Sequence, residues 1–512
     1  MNKVWRKLKI LKNKLKQMNR KEFSNTVQRI QEARIKLEGI QKQIDGHGCN
    51  TESITQEKKA KKELAKWSGI EESIMKQKSR IKWLKLGDAN TTYFYACAKS
   101  RQAINHIGSL FNNSGQLLNT ATYVETEILK FFKQLLGTAV VQLPAVSSEV
   151  MKQGINLNRK QQLSLIRAVT EEEVKQVLHD IDDNKALGCN GYNAFFYKKS
   201  WHIIGKEVTQ GVLEFFENPE MCRVITDNII MSHELIKGYG RKNTSPRCML
   251  KIDIHKAYDS VEWVYVEQVM RLLGLPEKYV KWVMACISIT SYLIIVNGKR
   301  IKPFEAKRGL RQGDSLSPLL FVIAMKYLCR LLKQLGSNKN FRFHPRCAKM
   351  NLIQLGFADD LLLFCKDEKK SVVEIHNQFQ RFSKASGLVA NTSKSSIYFG
   401  GVDNRVQQMI LEILGYTKGD LPFRYLGVLL STKRISTIQC EPLIDKMLSR
   451  VQSWTTKFLS YAGRAALIKS VLGTIQNFWA QVFIYQRKLY SSLRQYAEGF
   501  YGRGMLSQQK RH

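Results

Sequence analysis

Acidic residues are in short supply in this chain: 43 Asp and Glu stand against 81 Lys and Arg over 512 residues, a formal net charge of +38. A surplus of that size excludes a basic partner and favours a polyanionic one, because each phosphate neutralised by a cation releases a counterion. No apolar run is long enough to span a bilayer, so no membrane partner is expected. The start, "MNKVWRKLKILKNKLKQ", lacks the continuous apolar stretch of a secretory signal. The ten cysteines form no C-x-x-C pair, which excludes a zinc knuckle and a disulfide framework and fits a reducing compartment. An intracellular protein, nuclear or cytoplasmic and not secreted, is the expectation. Internal repeats and low-complexity linkers are absent too.

Periodicity fills in what is there. Val4, Leu8, Leu11, Leu15 and Met18 recur at steps of four and three, and Phe23, Val27, Ile30, Leu37, Ile40 and Ile44 resume after a one-residue slip. This predicts a long amphipathic helix with a basic outer face, broken at "DGHGCNTES" and followed by a second polar helix to about Leu86. A helical hairpin or short coiled coil results. "TEEEVKQVLHDI" opens with a capping-box pattern, Thr170 to Glu173. Beyond it, short strand-like runs ("CMLKIDI", "SYLIIVNG", "LGFADDLLLFC", "SSIYFGG") alternate with helices such as "SPLLFVIAMKYLCRLLKQL". The fold class expected is α+β, built around an antiparallel sheet.

The chemistry begins at "LIQLGFADDLLLFCK", where Asp359 and Asp360 interrupt an apolar run. Two adjacent carboxylates repel and are costly to bury, so a positive group should stand nearby. Short apolar runs on both sides place "ADD" at a hairpin tip, either an ordinary Asp-Asp turn or a site for a hard divalent cation. A third carboxylate, Asp253, ends the run "CMLKID", from which it can face that tip if the two strands are neighbours. Three carboxylates could then hold two Mg²⁺ ions. Asp259 suits a helix N-terminal turn better.

Five stretches, "KIDIHKAYDSVEW", "RGLRQGDSLSPLLFVIAM", "LGFADDLLLF", "GLVANTSKSSIYFGG" and "LPFRYLGVLLS", follow one another between Arg247 and Ser431. In that order they resemble the reverse transcriptases of non-LTR retrotransposons, with wording similar to plant LINE-type elements. The resemblance implies a right-hand polymerase: a palm with an antiparallel sheet, incomplete fingers and a helical thumb, preceded by a long helical N-terminal region. Its segments would be a helical, coiled-coil-like connector (1–100), an N-terminal extension with partial fingers (101–222), the palm (223–415), a primer-grip hairpin with the thumb (416–485) and a basic tail (486–512). Asp253, Asp359 and Asp360 would be catalytic metal ligands for Mg²⁺ (or Mn²⁺). Tyr258 would exclude a ribose 2′-hydroxyl; Gln312 and Gly313 would line the nucleotide and template pocket. Lys394 would stand near the leaving pyrophosphate, and Tyr425, Leu426 and Gly427 would grip the primer. The implied partners are an RNA template, a DNA primer and dNTP.

Departures from the pattern are also visible. Leu187 and Asn190 stand where relatives carry proline and aspartate, and the passage from "GVLEFFEN" through Pro219–Cys222 into "RVITDNII" omits a finger segment of about seventy residues. The endonuclease and C-terminal zinc knuckle of such elements are not recognisable. These features imply a truncated or degenerate copy that extends primers poorly, with a non-catalytic nucleic-acid-binding remnant as the alternative.

Overall fold

A computed structural model describes residues 2–47, 51–81, 84, 90–167, 170–183, 192–213, 232, 235–236, 239, 245–314, 316–366, 368–430, 441–453 and 458–475. Two units partition the chain: Met1–His106 with Ala186–Asn193 and Ile435–His512, and Ile107–Lys185 with Ala194–Arg434.

In the first unit, the long helix expected from the heptad-like spacing is two helices, α1 (Asn2–Phe23) and α2 (Thr26–His47). The break falls at Ser24–Asn25, where Thr26 turns its hydroxyl back onto the Phe23 carbonyl at 2.7 Å. The slip in the apolar spacing marked this place, since a one-residue shift rotates the stripe by about 100° and one straight helix cannot bury both halves. α2 runs antiparallel to α3 (Thr51–Ser79), so the hairpin expectation holds: Lys36 pairs with Glu63 at 3.1 Å, and the Arg29 guanidinium lies 4.5 Å from the Trp67 ring. α4 (Thr91–Ile104) returns against α3, and Arg101 donates to the Ser79 carbonyl at 2.6 Å, satisfying an orphan group at the α3 C-terminus. Leu84, Tyr93, Phe94, Leu459 and Leu467 form this unit's core.

Early in the second unit come α5 (Ala121–Leu136) and later α6 (Glu171–Asp180), whose N-terminus carries the expected capping box between Thr170 and Glu173. Its centre is a five-stranded sheet of β1 (Arg247–Asp253), β2 (Gln354–Phe357), β3 (Asp360–Lys366), β4 (Ser396–Gly400) and β5 (Thr417–Lys418), in the order β5-β4-β1-β3-β2. Every pairing is antiparallel except the two-residue edge β5 against β4. The α+β class read from the sequence is thus observed. Strand alternation sorts the side chains. Cys248, Leu250 and Ile252 of β1 face the same way as Leu361, Leu363 and Cys365 of β3, into a core shared with Trp263–Leu272, Ser317–Gln334 and Lys369–Ser386. On the other face lie Met249, Lys251 and Asp253 beside Asp360, Leu362 and Phe364. A hairpin of β6 (Phe423–Tyr425) and β7 (Val428–Leu430) covers part of that second face, with the Phe423 ring stacked on Tyr398 at 4.3 Å. Among the described residues no helix is long and apolar enough to cross a membrane.

Candidate active site

The register of β1 and β3 sets Asp253 directly opposite Asp360. Paired residues on neighbouring antiparallel strands have Cα atoms about 4.5–5.5 Å apart and project to the same face. Asp359 occupies the two-residue turn between β2 and β3, because Phe357 pairs with Asp360 and leaves only Ala358 and Asp359 outside the ladder. The Asp359 carbonyl accepts the Ile254 amide at 3.3 Å, which ties the tip to the end of β1. Burial raises the Asp360 carboxyl above the ordinary aspartate range; the Lys251 ammonium pulls it down, and the charges of Asp359 and Asp253 push it up again. Asp360 therefore feels the charge of both other carboxylates.

Among the described residues no three His, Cys, Asp or Glu side chains stand close enough together to hold a metal ion by themselves. An open arrangement suits Mg²⁺, which keeps several waters and needs only one or two carboxylates together with substrate phosphates. The donor set is all oxygen, and a cation would relieve the repulsion at Asp360, so these residues fit a hard divalent ion.

Backbone strain gathers at the same place. Apart from asparagines, the non-glycine residues with left-handed φ among the described residues of this unit are Lys256 (+44°), Ala358 (+52°) and Leu426 (+48°). The first lies three positions beyond Asp253, the second adjoins Asp359, and the third tips the hairpin beside the sheet. Each such residue costs on the order of 1–3 kcal/mol, and strain of this kind clusters at functional sites.

Tyr258 follows on a short helix, Ala257–Ser260, with its ring stacked on Phe321 at 4.8 Å. Its hydroxyl is held to higher pH by burial and then by the charge of Asp359. The segment 308–310 runs beside it: the Leu310 amide donates to the Tyr258 carbonyl at 2.6 Å, and the Gly309 amide to the Val261 carbonyl at 2.8 Å. Only glycine permits this approach, since a Cβ on Gly309 would lie 2.7 Å from the Asp259 carbonyl oxygen at φ +87°. Gln312 and Gly313 then form an exposed turn, Gly313 at φ +86°, before the helix that starts at Ser317 with Pro318 in its first turn. Ser315, between that turn and the helix, lies outside the described residues.

Lys394 is exposed in the turn 391–394, and that turn is strapped to Asp253: the Asn391 amide donates to the Asp253 carbonyl at 2.8 Å, and the Asp253 amide to the Ser395 hydroxyl at 3.2 Å. The β6–β7 hairpin divides its residues. Tyr425 is 1% exposed and its ring is core, whereas Leu426 and Gly427 make the tip, both with positive φ, as a type I′ turn requires. A primer on this hairpin would meet the tip and not the Tyr425 ring. Leu187, Asn190, the Asn218–Arg223 junction and the tail 486–512 lie outside the described residues.

Sequence reasoning asked for a positive group beside the aspartates without naming one. It is Lys251, whose Nζ donates to the Arg424 carbonyl at 3.3 Å and lies 5.7 Å from the Phe423 ring, linking the hairpin to the carboxylate face. The signal was available: two residues before Asp253 on a strand is the same face.

Residues 205–430 match the family described as reverse transcriptase (RNA-dependent DNA polymerase), a span containing every site residue above. The chain is 21% identical over 469 residues to the Transposon TX1 uncharacterized 149 kDa protein of Xenopus laevis, covering 78% of this chain and 35% of that protein. To the Retrovirus-related Pol polyprotein from type-1 retrotransposable element R2 of Popillia japonica it is 28% identical over 222 residues, 41% of this chain and 35% of that one. It thus spans 35% of the length of each of these relatives. Among solved structures, apo telomerase from Candida tropicalis aligns with 93% of this chain and 89% of its own at 12% identity and a TM-score of 0.35.

Proposed function

We propose, from the reverse transcriptase domain that residues 205–430 match, that this chain is an RNA-directed DNA polymerase of a non-LTR retrotransposon, from a plant LINE-type element and with shortened fingers. The observation that carries this reading is the opposed pair Asp253 and Asp360 with Asp359 in the strained turn beside them. These three would hold Mg²⁺ (or Mn²⁺), which when bound lowers the pKa of a primer 3′-hydroxyl and neutralises charge on the triphosphate and departing pyrophosphate. Around them the chain's own groups position the substrates. Tyr258 would set its ring against the incoming sugar, Gln312 and Gly313 would offer backbone to the nucleotide and template, and Lys394 would donate a proton to pyrophosphate. Leu426 and Gly427 would meet the primer, steadied by the buried Tyr425 ring.

The test is incorporation of dNTP on a primed RNA template in the presence of Mg²⁺, comparing the chain as it stands with one carrying a finger segment from a relative between Asn218 and Arg223. Positioning and electrostatic clamping of a triphosphate contribute orders of magnitude in rate. Weak incorporation that rises at least about 100-fold on grafting supports both the polymerase and the deletion. Robust incorporation without the graft overturns the deletion; none in either chain, with nucleic-acid binding kept, leaves a non-catalytic binding protein.

A second expectation concerns the sugar. Tyr258→Ala should raise ribonucleotide use relative to deoxynucleotide use by roughly 10–100-fold, while Tyr258→Phe keeps the discrimination, because the ring and not the hydroxyl occupies the space. Single-nucleotide kinetics with paired rNTP and dNTP check it, and an unchanged ratio for the alanine variant would remove Tyr258 from the pocket.

A further inference from the structure

Away from the carboxylates, the second unit carries a groove of about 730 Å³ between the C-terminal half of α5 and the short strand Phe304–Glu305. Three exposed lysines line it: Lys130 and Lys133, one turn apart on α5, and Lys307 on the opposite wall. Between them lie Leu129 and the half-buried Phe304 ring, with Glu305 the acidic residue in the lining. Lys130 leans toward Glu127 at 3.8 Å, an exposed pair worth little and easily exchanged for another anion.

Both walls are fixed. The Lys307 amide donates to the Leu136 carbonyl at 2.7 Å, and the Arg308 guanidinium donates to the Leu135 and Gln134 carbonyls at 2.7 and 3.2 Å, closing the C-terminus of α5 onto the strand. Phe304 is stacked on Tyr292 with centroids 6.0 Å apart, which braces one side of its ring. On the neighbouring face of α5, the exposed Phe131 ring lies 3.8 Å from Nζ of Lys256, in the loop that follows Asp253. The groove therefore flanks the carboxylate loop without being part of it.

Lysines spaced along a rigid groove over an aromatic floor bind single-stranded nucleic acid, phosphates meeting the ammonium groups and a base stacking on the ring. A duplex presents phosphates but hides its base faces and would leave Phe304 unused. We infer that this groove takes an unpaired strand, with phosphates on Lys130, Lys133 and Lys307 and a base on Phe304. That the strand is the template rests on the polymerase reading; the preference for a single strand does not.

The experiment uses the full chain, a triple variant (Lys130→Gln, Lys133→Gln, Lys307→Gln), the corresponding triple Lys→Arg variant, and Phe304→Leu. Anisotropy of a short labelled single-stranded RNA and of a blunt duplex is followed through a salt titration, with melting temperatures recorded. Losing three contacts on a single strand should flatten the slope of log K against log salt by about 2, and weaken binding at low salt by at least about tenfold. The Arg variant should behave as wild type. Phe304→Leu should weaken single-strand binding roughly fivefold or more with its salt slope unchanged, and neither set should alter duplex binding. An unchanged slope in the Gln variant overturns the inference, as does equal loss for single strand and duplex. Polyglutamate displacing the RNA from wild type but not from the Gln variant would assign the groove to an acidic peptide instead. If the Gln variant binds as wild type while wild type still incorporates dNTP, only the groove falls. If wild type neither binds RNA nor incorporates dNTP, the polymerase reading falls with it.

Discussion

Asp359→Asn is expected to lower metal-dependent nucleotide incorporation by at least about 10³-fold while nucleic-acid affinity moves by less than about twofold. The substitution is nearly isosteric, and the hydrogen bond that ties this residue to Ile254 uses its backbone carbonyl, which asparagine keeps. What is lost is a negative charge at the exposed tip, worth several kcal/mol where a cation must be held against developing charge. The fold should not suffer. Asp360 has its carboxyl raised by burial and by its two acidic neighbours, so it keeps its proton to higher pH in the folded chain than in the unfolded one. Stability from that group is present below the ordinary carboxylate range and is lost as pH rises through the raised value. Removing the charge of Asp359 lessens that loss, so near neutral pH the variant should melt no lower than wild type. A divalent ion should raise the melting temperature of wild type more than that of the variant. Activity surviving in the variant would refute the metal assignment, and a lowered melting temperature with parallel loss of binding would indicate misfolding.

Gly309→Ala is expected to cost about 3 kcal/mol or more, among the largest effects of a single methyl group in this chain. Two penalties coincide there. The left-handed φ of +87° is unfavourable for any L side chain, by about 1–2 kcal/mol, and the new Cβ would stand 2.7 Å from a backbone oxygen that cannot rotate aside. The segment 308–310 would have to move away from Tyr258 and Val261, breaking hydrogen bonds of 2.6 and 2.8 Å and dragging the Gln312–Gly313 turn with it. Gly313→Ala is the internal control. It shares the left-handed φ, +86°, but its Cβ would meet nothing within 4 Å, so it should cost only about 1–2 kcal/mol. Denaturant midpoints at constant m-value separate the two. Equal costs would mean that strain alone, and not close packing, selects glycine at 309.

Periodicity and short-range chemistry were legible without coordinates wherever the deciding interactions are local. The capping box at Thr170 depends on residues three apart, and it forms. The hairpin tip at Asp359 follows from two apolar runs meeting a polar pair, and Asp253 at the end of β1 follows from one more run. The N-terminal stripe was read correctly in spacing but not in continuity, because a one-residue slip can be absorbed by bending or by a break, and Thr26 bonding to Phe23 settles which.

Whatever depended on pairing between distant segments was decided only in three dimensions. The order of residues gave the types of the three acidic groups; the β1–β3 register put Asp253 across from Asp360, and a shift of one residue would have turned it into the helical core with Ile252 and Leu361. The same register makes Lys251 the counter-charge, through a carbonyl 173 positions away in sequence. Tyr425 could not be assigned to core or contact from its neighbours, and packing beneath the hairpin made it core at 1% exposure. Sequence by itself determined which residues could bind cations and which segments would supply the strands of the central sheet, although the run "SYLIIVNG" divides into two short strands, Ser291–Tyr292 and Ile295–Val296, in different pairs. Tertiary structure alone decided which of those side chains share a face, because facing is a property of register between strands and no single strand carries it.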